Sequence, residues 1–224
     1  MVLPFVRDLF ADLEKSSALT HTTPHLKPGA ERVRLSGLTP TAKALLIPLL
    51  QHAAGRPLIV VVPKNRVAEE MLPVVRAFCE LTGTVAPEAV ITLPTRDVLP
   101  FQNLSPHPEI QEARAVALWK IATGEAQIVI VPAAAASMNL RSADYYANLA
   151  RVVRRGEPLD VDALVQHLNT VGYTQVDVVE MPGEYALRGG ILDVYSPEVD
   201  RPIRIESFGD EVESIRKFDP ATQR

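Results

Sequence analysis

The chain has 224 residues, 47% of them hydrophobic, which suffices for one large or two modest cores and excludes disordered and collagen-like classes. A formal net charge of −4 argues against a dedicated nucleic-acid binder, because such domains need basic excess to neutralise phosphates. A single cysteine excludes an internal disulfide framework, and five scattered histidines without ligand spacing predict no metal site.

In chain order, residues 2 to 14 read as a short amphipathic helix. Arg7 and Asp8 interrupt its apolar run, and no small-residue cleavage pattern of a signal peptide follows. No stretch approaches the ~20 apolar residues of a membrane span, so the expected location is the cytoplasm, which also suits the lone cysteine. Thr20 to Gly29 breaks periodicity and reads as a connector. An alternation follows: a strand over Arg32 to Ser36, a helix over Thr41 to Ala54, a strand over Pro57 to Val62 and a helix over Asn65 to Leu81. A strand over Ala89 to Thr92, a helix over Pro108 to Ala122 and a strand over Gln127 to Val131 complete the set.

Leu58 to Val62 and Ile128 to Val131 are continuous apolar runs, the mark of strands covered on both faces. The helices between them make a parallel α/β sheet the natural assembly. Cys79 falls in the apolar pattern of its helix and reads as a buried reduced thiol. Trp119 shares a helical face with Ala115 and Val116 and reads as core. The loop from Pro94 to Pro108 is long for such a domain, and its prolines suit either a functional loop or a rigid structural cap.

Within this first region, Gly37 to Ala44 reads Gly-Leu-Thr-Pro-Thr-Ala-Lys-Ala, the outline of a phosphate-binding loop without its chemistry. A working loop needs N–H groups aimed at phosphate, a glycine before the lysine and a hydroxyl after it for Mg²⁺. Lys43 is present, but Pro40 deletes an N–H, Ala42 adds a Cβ where glycine is wanted and Ala44 offers a metal no oxygen. An ordinary loop capping a helix explains the same residues. Gly37, Ala42, Lys43 and Ala44 are therefore expected to be inactive.

From about Met138 the texture changes, which places a domain boundary there: residues 1–138 as the α/β domain and 139–224 as a smaller α+β domain. A basic strand-like segment, Ala150 to Arg155, leads to a helix starting near Asp160. The hairpin Gly183 to Tyr195 is the clearest local signal. Gly189 and Gly190 separate two alternating runs, and glycine supplies the positive φ that tight hairpin turns require.

The resulting register pairs Arg188 with Ile191, Ala186 with Asp193 and Glu184 with Tyr195 on one face, and Leu187 with Leu192 and Tyr185 with Val194 on the other. The second set is apolar and should face the core. The first leaves Glu184, Arg188, Asp193 and Tyr195 on an outer face that reads either as a solvated surface with a weak diagonal Arg188–Asp193 pair or as a partner-binding site.

Several segments together carry a family resemblance. They are Leu99 to His107, Gly172-Tyr173, Pro182 to Pro197, Arg201 to Glu206, Phe208 to Arg216 and Phe218 to Arg224. Across most of residues 35 to 224 the chain resembles the N-terminal UvrB-homology module of the bacterial transcription-repair coupling factors (Mfd). That resemblance implies a degenerate P-loop, RecA-like helicase domain followed by a domain that recruits UvrA for nucleotide excision repair. Arg188 matches an arginine that contributes to UvrA binding in that family, and Tyr185 matches an aromatic position of the same hairpin in a supporting role. Thr174 and Gln175 stand where relatives often carry arginine, which shifts weight onto Arg188, Glu184, Asp193 and Tyr195.

By the same resemblance the fragment is a monomeric, non-catalytic part of an ATP-dependent DNA translocase. ATP and Mg²⁺, RNA polymerase and DNA would belong to later domains of the parent. The competing readings are an ATP-using helicase-type domain built on Lys43, and direct DNA binding through Arg151, Arg154, Arg155, Lys64 and Arg66. The first lacks a metal-holding hydroxyl and an acidic group at the strand ends, and the second lacks interleaved aromatics.

Overall fold

The computed structural model describes residue 13 and residues 16–27, 29–96, 108–196 and 199–223. The helix expected over residues 2–14 lies outside them except at residue 13. Residues 97–107 of the long loop, with the segment Leu99 to His107, lie outside them as well. The chain divides into two compact units, Met1–Ala143 and Asp144–Arg224.

The first unit is α/β. After α1 (Ser17–Thr22) and a 3₁₀ turn, α2 (Pro40–Ala54) runs into β1 (Leu58–Val62), α3 (Asn65–Thr82), β2 (Val90–Thr92), α4 (Pro108–Ala122) and β3 (Ile128–Pro132), with α5 (Ala133–Ala136) after it. The strands are all parallel in the order β1-β3-β2. Ala44 and Ile47 of α2 and Ala68, Val75 and Cys79 of α3 pack on Val62, Val90, Ile128 and Ile130, so one face of the sheet is closed by two helices. Burial pushes the Cys79 thiol up to about 11, in keeping with an inert core position.

Three expectations for this unit need correction. Residues 32–36 form no strand, and Val33 and Leu35 stay exposed: an alternating run becomes a strand only where another strand accepts from its N–H groups and donates to its C=O groups. β3 is buried along its whole length, but β1 is covered on one face only, with Ile59 70% and Val61 58% exposed. Edge position alone is not the cause, since β2 is the other edge strand and its Val90 and Ile91 are buried on both faces. Finally, α4 buries Arg114, Ala117 and Leu118, whereas Ala115 is exposed and Val116 and Trp119 are half-buried. The Arg114 guanidinium donates to the Pro94 carbonyl, so a cation occupies a buried position that hydrophobic periodicity cannot anticipate.

The second unit is α+β. α6 (Ala143–Ala147) begins at the division, and α7 (Val161–Val171) is capped at its start by the Asp160 carboxylate, which accepts the Ala163 N–H at 2.9 Å. Five strands follow: β4 (Thr174–Gln175), β5 (Glu184–Arg188), β6 (Ile191–Val194), β7 (Ile203–Phe208) and β8 (Glu211–Lys217). They lie in sequence order, β4 parallel to β5 and the rest antiparallel. The expected strand-like segment at 150–155 has no strand geometry. The chain meets the β8 side only later, where the Gly156 N–H donates to Val212 and the Leu159 N–H to Asp210.

Candidate partner-binding face

The β5–β6 hairpin has the register that alternation dictates, Tyr185 with Val194, Ala186 with Asp193, Leu187 with Leu192 and Arg188 with Ile191. Its two turn glycines serve different ends. Gly189 has φ +61, a conformation that favours glycine, whereas a Cβ on Gly190 would stand 2.7 Å from the Ser207 carbonyl oxygen. Only the first glycine is needed for its φ; the second is needed because β7 passes so close.

One face of the sheet is the main core of this unit. Tyr185, Leu192, Ile205 and Val212 are buried there against Leu168 of α7. The Tyr185 hydroxyl lies 2.9 Å from Asn169 Oδ1 and 3.3 Å from Gln175 Oε1, so its polar end is satisfied inside the fold. Tyr185 thus supports the hairpin from within, and Gln175 is tied to it. Thr174 and Gln175 are otherwise exposed on β4, at the edge of the sheet, where Gln175, Val176 and Asp177 line a groove that Leu187 and Arg188 close.

The opposite face is not the open surface that alternation suggests. Val179, Ala186 and Phe218 form a second small core on it, flanked by Val176 and Tyr195. Asp193 sits on this face at 0% exposure, which corrects its placement on a solvated surface. Its carboxylate accepts from Arg204 through Nε at 2.6 Å and Nη2 at 2.7 Å, and from Arg188 Nη2 at 2.8 Å. The Arg204 guanidinium lies over the Phe218 ring, 4.6 Å from its centroid, and hydrogen bonding to Asp193 pushes its pKa up further. A carboxylate removed from water needs such partners, and the fork geometry of arginine supplies two bonds from one side chain.

Two arginines around one aspartate leave one positive charge in excess. That excess is presented by Arg188, whose side chain is 50% exposed while that of Arg204 is 15% exposed. The buried Asp193 therefore fixes an outward guanidinium. Glu184 and Tyr195 have local duties: Glu184 Oε2 accepts the N–H groups of Glu180 and Met181 at 2.8 Å each, and the Tyr195 hydroxyl donates to the Asp200 carbonyl at 3.2 Å. Sequence reasoning missed Arg204 and Phe218. Arg204 stands directly opposite Asp193 on β7, a pairing that extending the hairpin register by one more strand would have raised.

At the other candidate site, Thr39 caps α2. Its hydroxyl accepts the Ala42 N–H at 3.2 Å, and its carbonyl accepts the Lys43 N–H at 3.0 Å. Pro40 has no N–H to offer, Lys43 is exposed and Ala44 is buried in the core. Gly37 has φ +78 and lies before the cap. The N–H groups that would meet a phosphate are thus absent at Pro40 and already engaged at Ala42 and Lys43. Among the basic residues, Arg66 pairs with Glu70 one helical turn on, which pushes its pKa up, and Arg154 lies 3.7 Å from Glu157. No cluster of metal-ligating side chains occurs among the described residues, and no helix of theirs is long and apolar enough to cross a membrane.

The segment that carries the hairpin, residues 152–224, matches the family model of the UvrB interaction domain. Over 195 residues the chain is 32% identical to the transcription-repair-coupling factor of Myxococcus xanthus, a match covering 87% of this chain and 16% of that relative. The chain belongs to the transcription-repair-coupling factors. The proteins of the same name from Bacillus subtilis and Escherichia coli are 28% and 30% identical over 199 residues, 89% of this chain in each case and 16% and 17% of the relatives. The chain thus spans about a sixth of the length of these relatives. The UvrB interaction domain and the relatives together support a module of the coupling-factor type, with an α/β domain before it.

Proposed function

We propose that the chain is a non-catalytic recruitment module whose UvrB interaction domain binds UvrA, so that the parent protein brings nucleotide excision repair to stalled RNA polymerase. The observation that carries this reading is the Arg188 guanidinium, held outward by a fully buried carboxylate on a rigid hairpin inside the family-matched segment. Arginine anchored in this way needs little ordering on association, and it is among the residue types that dominate binding energy. Thr174 and Gln175 at the nearby sheet edge would border the contact, with Glu184, Asp193, Tyr195 and Tyr185 supporting it from beneath.

The test is UvrA binding by the purified chain without nucleotide. Arg188→Ala should weaken it by about 2 kcal/mol, roughly 30-fold, while the melting temperature changes little, because Arg204 still satisfies Asp193. Unchanged affinity rejects the assigned face. The ATP-using alternative is disfavoured by the occupied N–H groups at the start of α2. Saturable stabilisation by Mg-ATP in a thermal-shift titration would restore it.

A further inference from the structure

The sheet face that carries Arg188 is closed over only part of its length. Val179, Ala186 and Phe218 bury one part, and at the turn end of the hairpin the face continues through Arg188 and Ile191 to β7. β7 keeps its alternation to its end, because the register shift after Glu206 leaves the extra residue, Glu213, on β8. Arg204, Glu206 and Phe208 therefore lie on the same face as Arg188 and Asp193.

Phe208 is 83% exposed. Single exposed apolar residues are ordinary, so exposure alone argues nothing. Its placement carries more. The Ser207 N–H donates to the Gly190 carbonyl at 2.8 Å, and the Ser207 hydroxyl reaches the same oxygen at 3.2 Å, so the tips of the two hairpins are bonded to each other. Phe208 follows Ser207 directly and is succeeded by Gly209 at φ +62, which turns the chain into β8. An aromatic ring is thus presented at a hairpin tip, on the same sheet face as a half-exposed guanidinium that Asp193 holds.

We infer that Phe208 is a second anchor of the UvrA-binding face: its ring enters an apolar pocket on UvrA whose rim carries a carboxylate for Arg188. The inference rests on the UvrA reading above. Aromatic rings and arginines held in one orientation are the combination from which interface hot spots are built. Glu206 does not compete for Arg188, since its carboxylate is engaged by Arg216 and by the Ser214 hydroxyl at 2.6 Å.

The experiment measures UvrA affinity of the chain as wild type, Arg188→Ala, Phe208→Ala, Phe208→Tyr and Ile59→Ala, the last another largely exposed apolar residue, in the other unit. Phe208→Ala is expected to weaken binding tenfold or more with an unchanged melting temperature, Phe208→Tyr to stay within threefold of wild type, and Ile59→Ala to have no effect. Wild-type affinity for Phe208→Ala alongside a weakened Arg188→Ala overturns the second anchor and leaves the UvrA reading standing. An equal loss in Ile59→Ala overturns the second anchor by showing general apolar adhesion. No binding by the wild type overturns both.

Discussion

Two glycine-marked stretches, Gly37 to Ala44 and Gly183 to Tyr195, both look like sites in the sequence, and the structure treats them differently. In the first, Pro40 offers no N–H and those of Ala42 and Lys43 are taken by Thr39. In the second, a buried carboxylate leaves one guanidinium directed outward. A functional outline in sequence therefore says little until each polar group has been assigned a partner, because a group already bonded inside the fold gains nothing from a ligand.

The contrast can be broken most forcefully at Asp193. Asp193→Ala leaves Arg204 largely buried without its carboxylate and should cost about 3 kcal/mol or more of stability in denaturant unfolding. A cost below about 1 kcal/mol means that the carboxylate does not hold the two arginines, and the rigid presentation of Arg188 fails with it.

A middle-sized effect belongs to the first stretch. Thr39→Ala removes the cap of α2 and should cost about 1 kcal/mol without touching UvrA affinity. Loss of UvrA binding in that variant would return the stretch to the list of sites.

The effect that is smallest at neutral pH, and emerges only in alkali, belongs to the core of the first unit. Cys79 keeps its proton in the folded chain up to about 11 and has an ordinary value of 9.0, so the unfolded chain deprotonates first as pH rises. Stability should fall between about pH 9 and pH 11 and show no contribution from this thiol below that window. Cys79→Ala should flatten this limb of the stability profile. An unchanged slope means the thiol is reached by solvent.

Much of the fold was legible because its signals are local. Thr39-Pro40 starts a helix and Gly55 and Gly83 end helices in left-handed conformations. The apolar run Ile128 to Val131 makes a buried strand, and the Gly189 turn sets a hairpin register. What was illegible depended on distant chain. Asp193 reads as an outward residue until Arg204, eleven positions on, and Phe218 close over it. Ile59 and Val61 read as core but are exposed, because which faces of a strand are covered depends on packing that its own apolar run does not encode. Alternation at residues 32–36 and 150–155 failed for the same reason, since a strand is a property of a pair. For Arg188, by contrast, alternation alone gave the correct neighbour in Asp193, while its role as an anchor rests on resemblance.

The contact at Gly190 sets a limit on how this surface can vary. Alanine is the smallest replacement available, and its methyl carbon would already collide with the Ser207 carbonyl at 2.7 Å, a backbone atom that no rotamer change can move aside. The interval between Arg188 and Phe208 is consequently a dimension of the main chain. Side chains that do not hold the guanidinium, as Asp193 does, can change without altering this main-chain spacing.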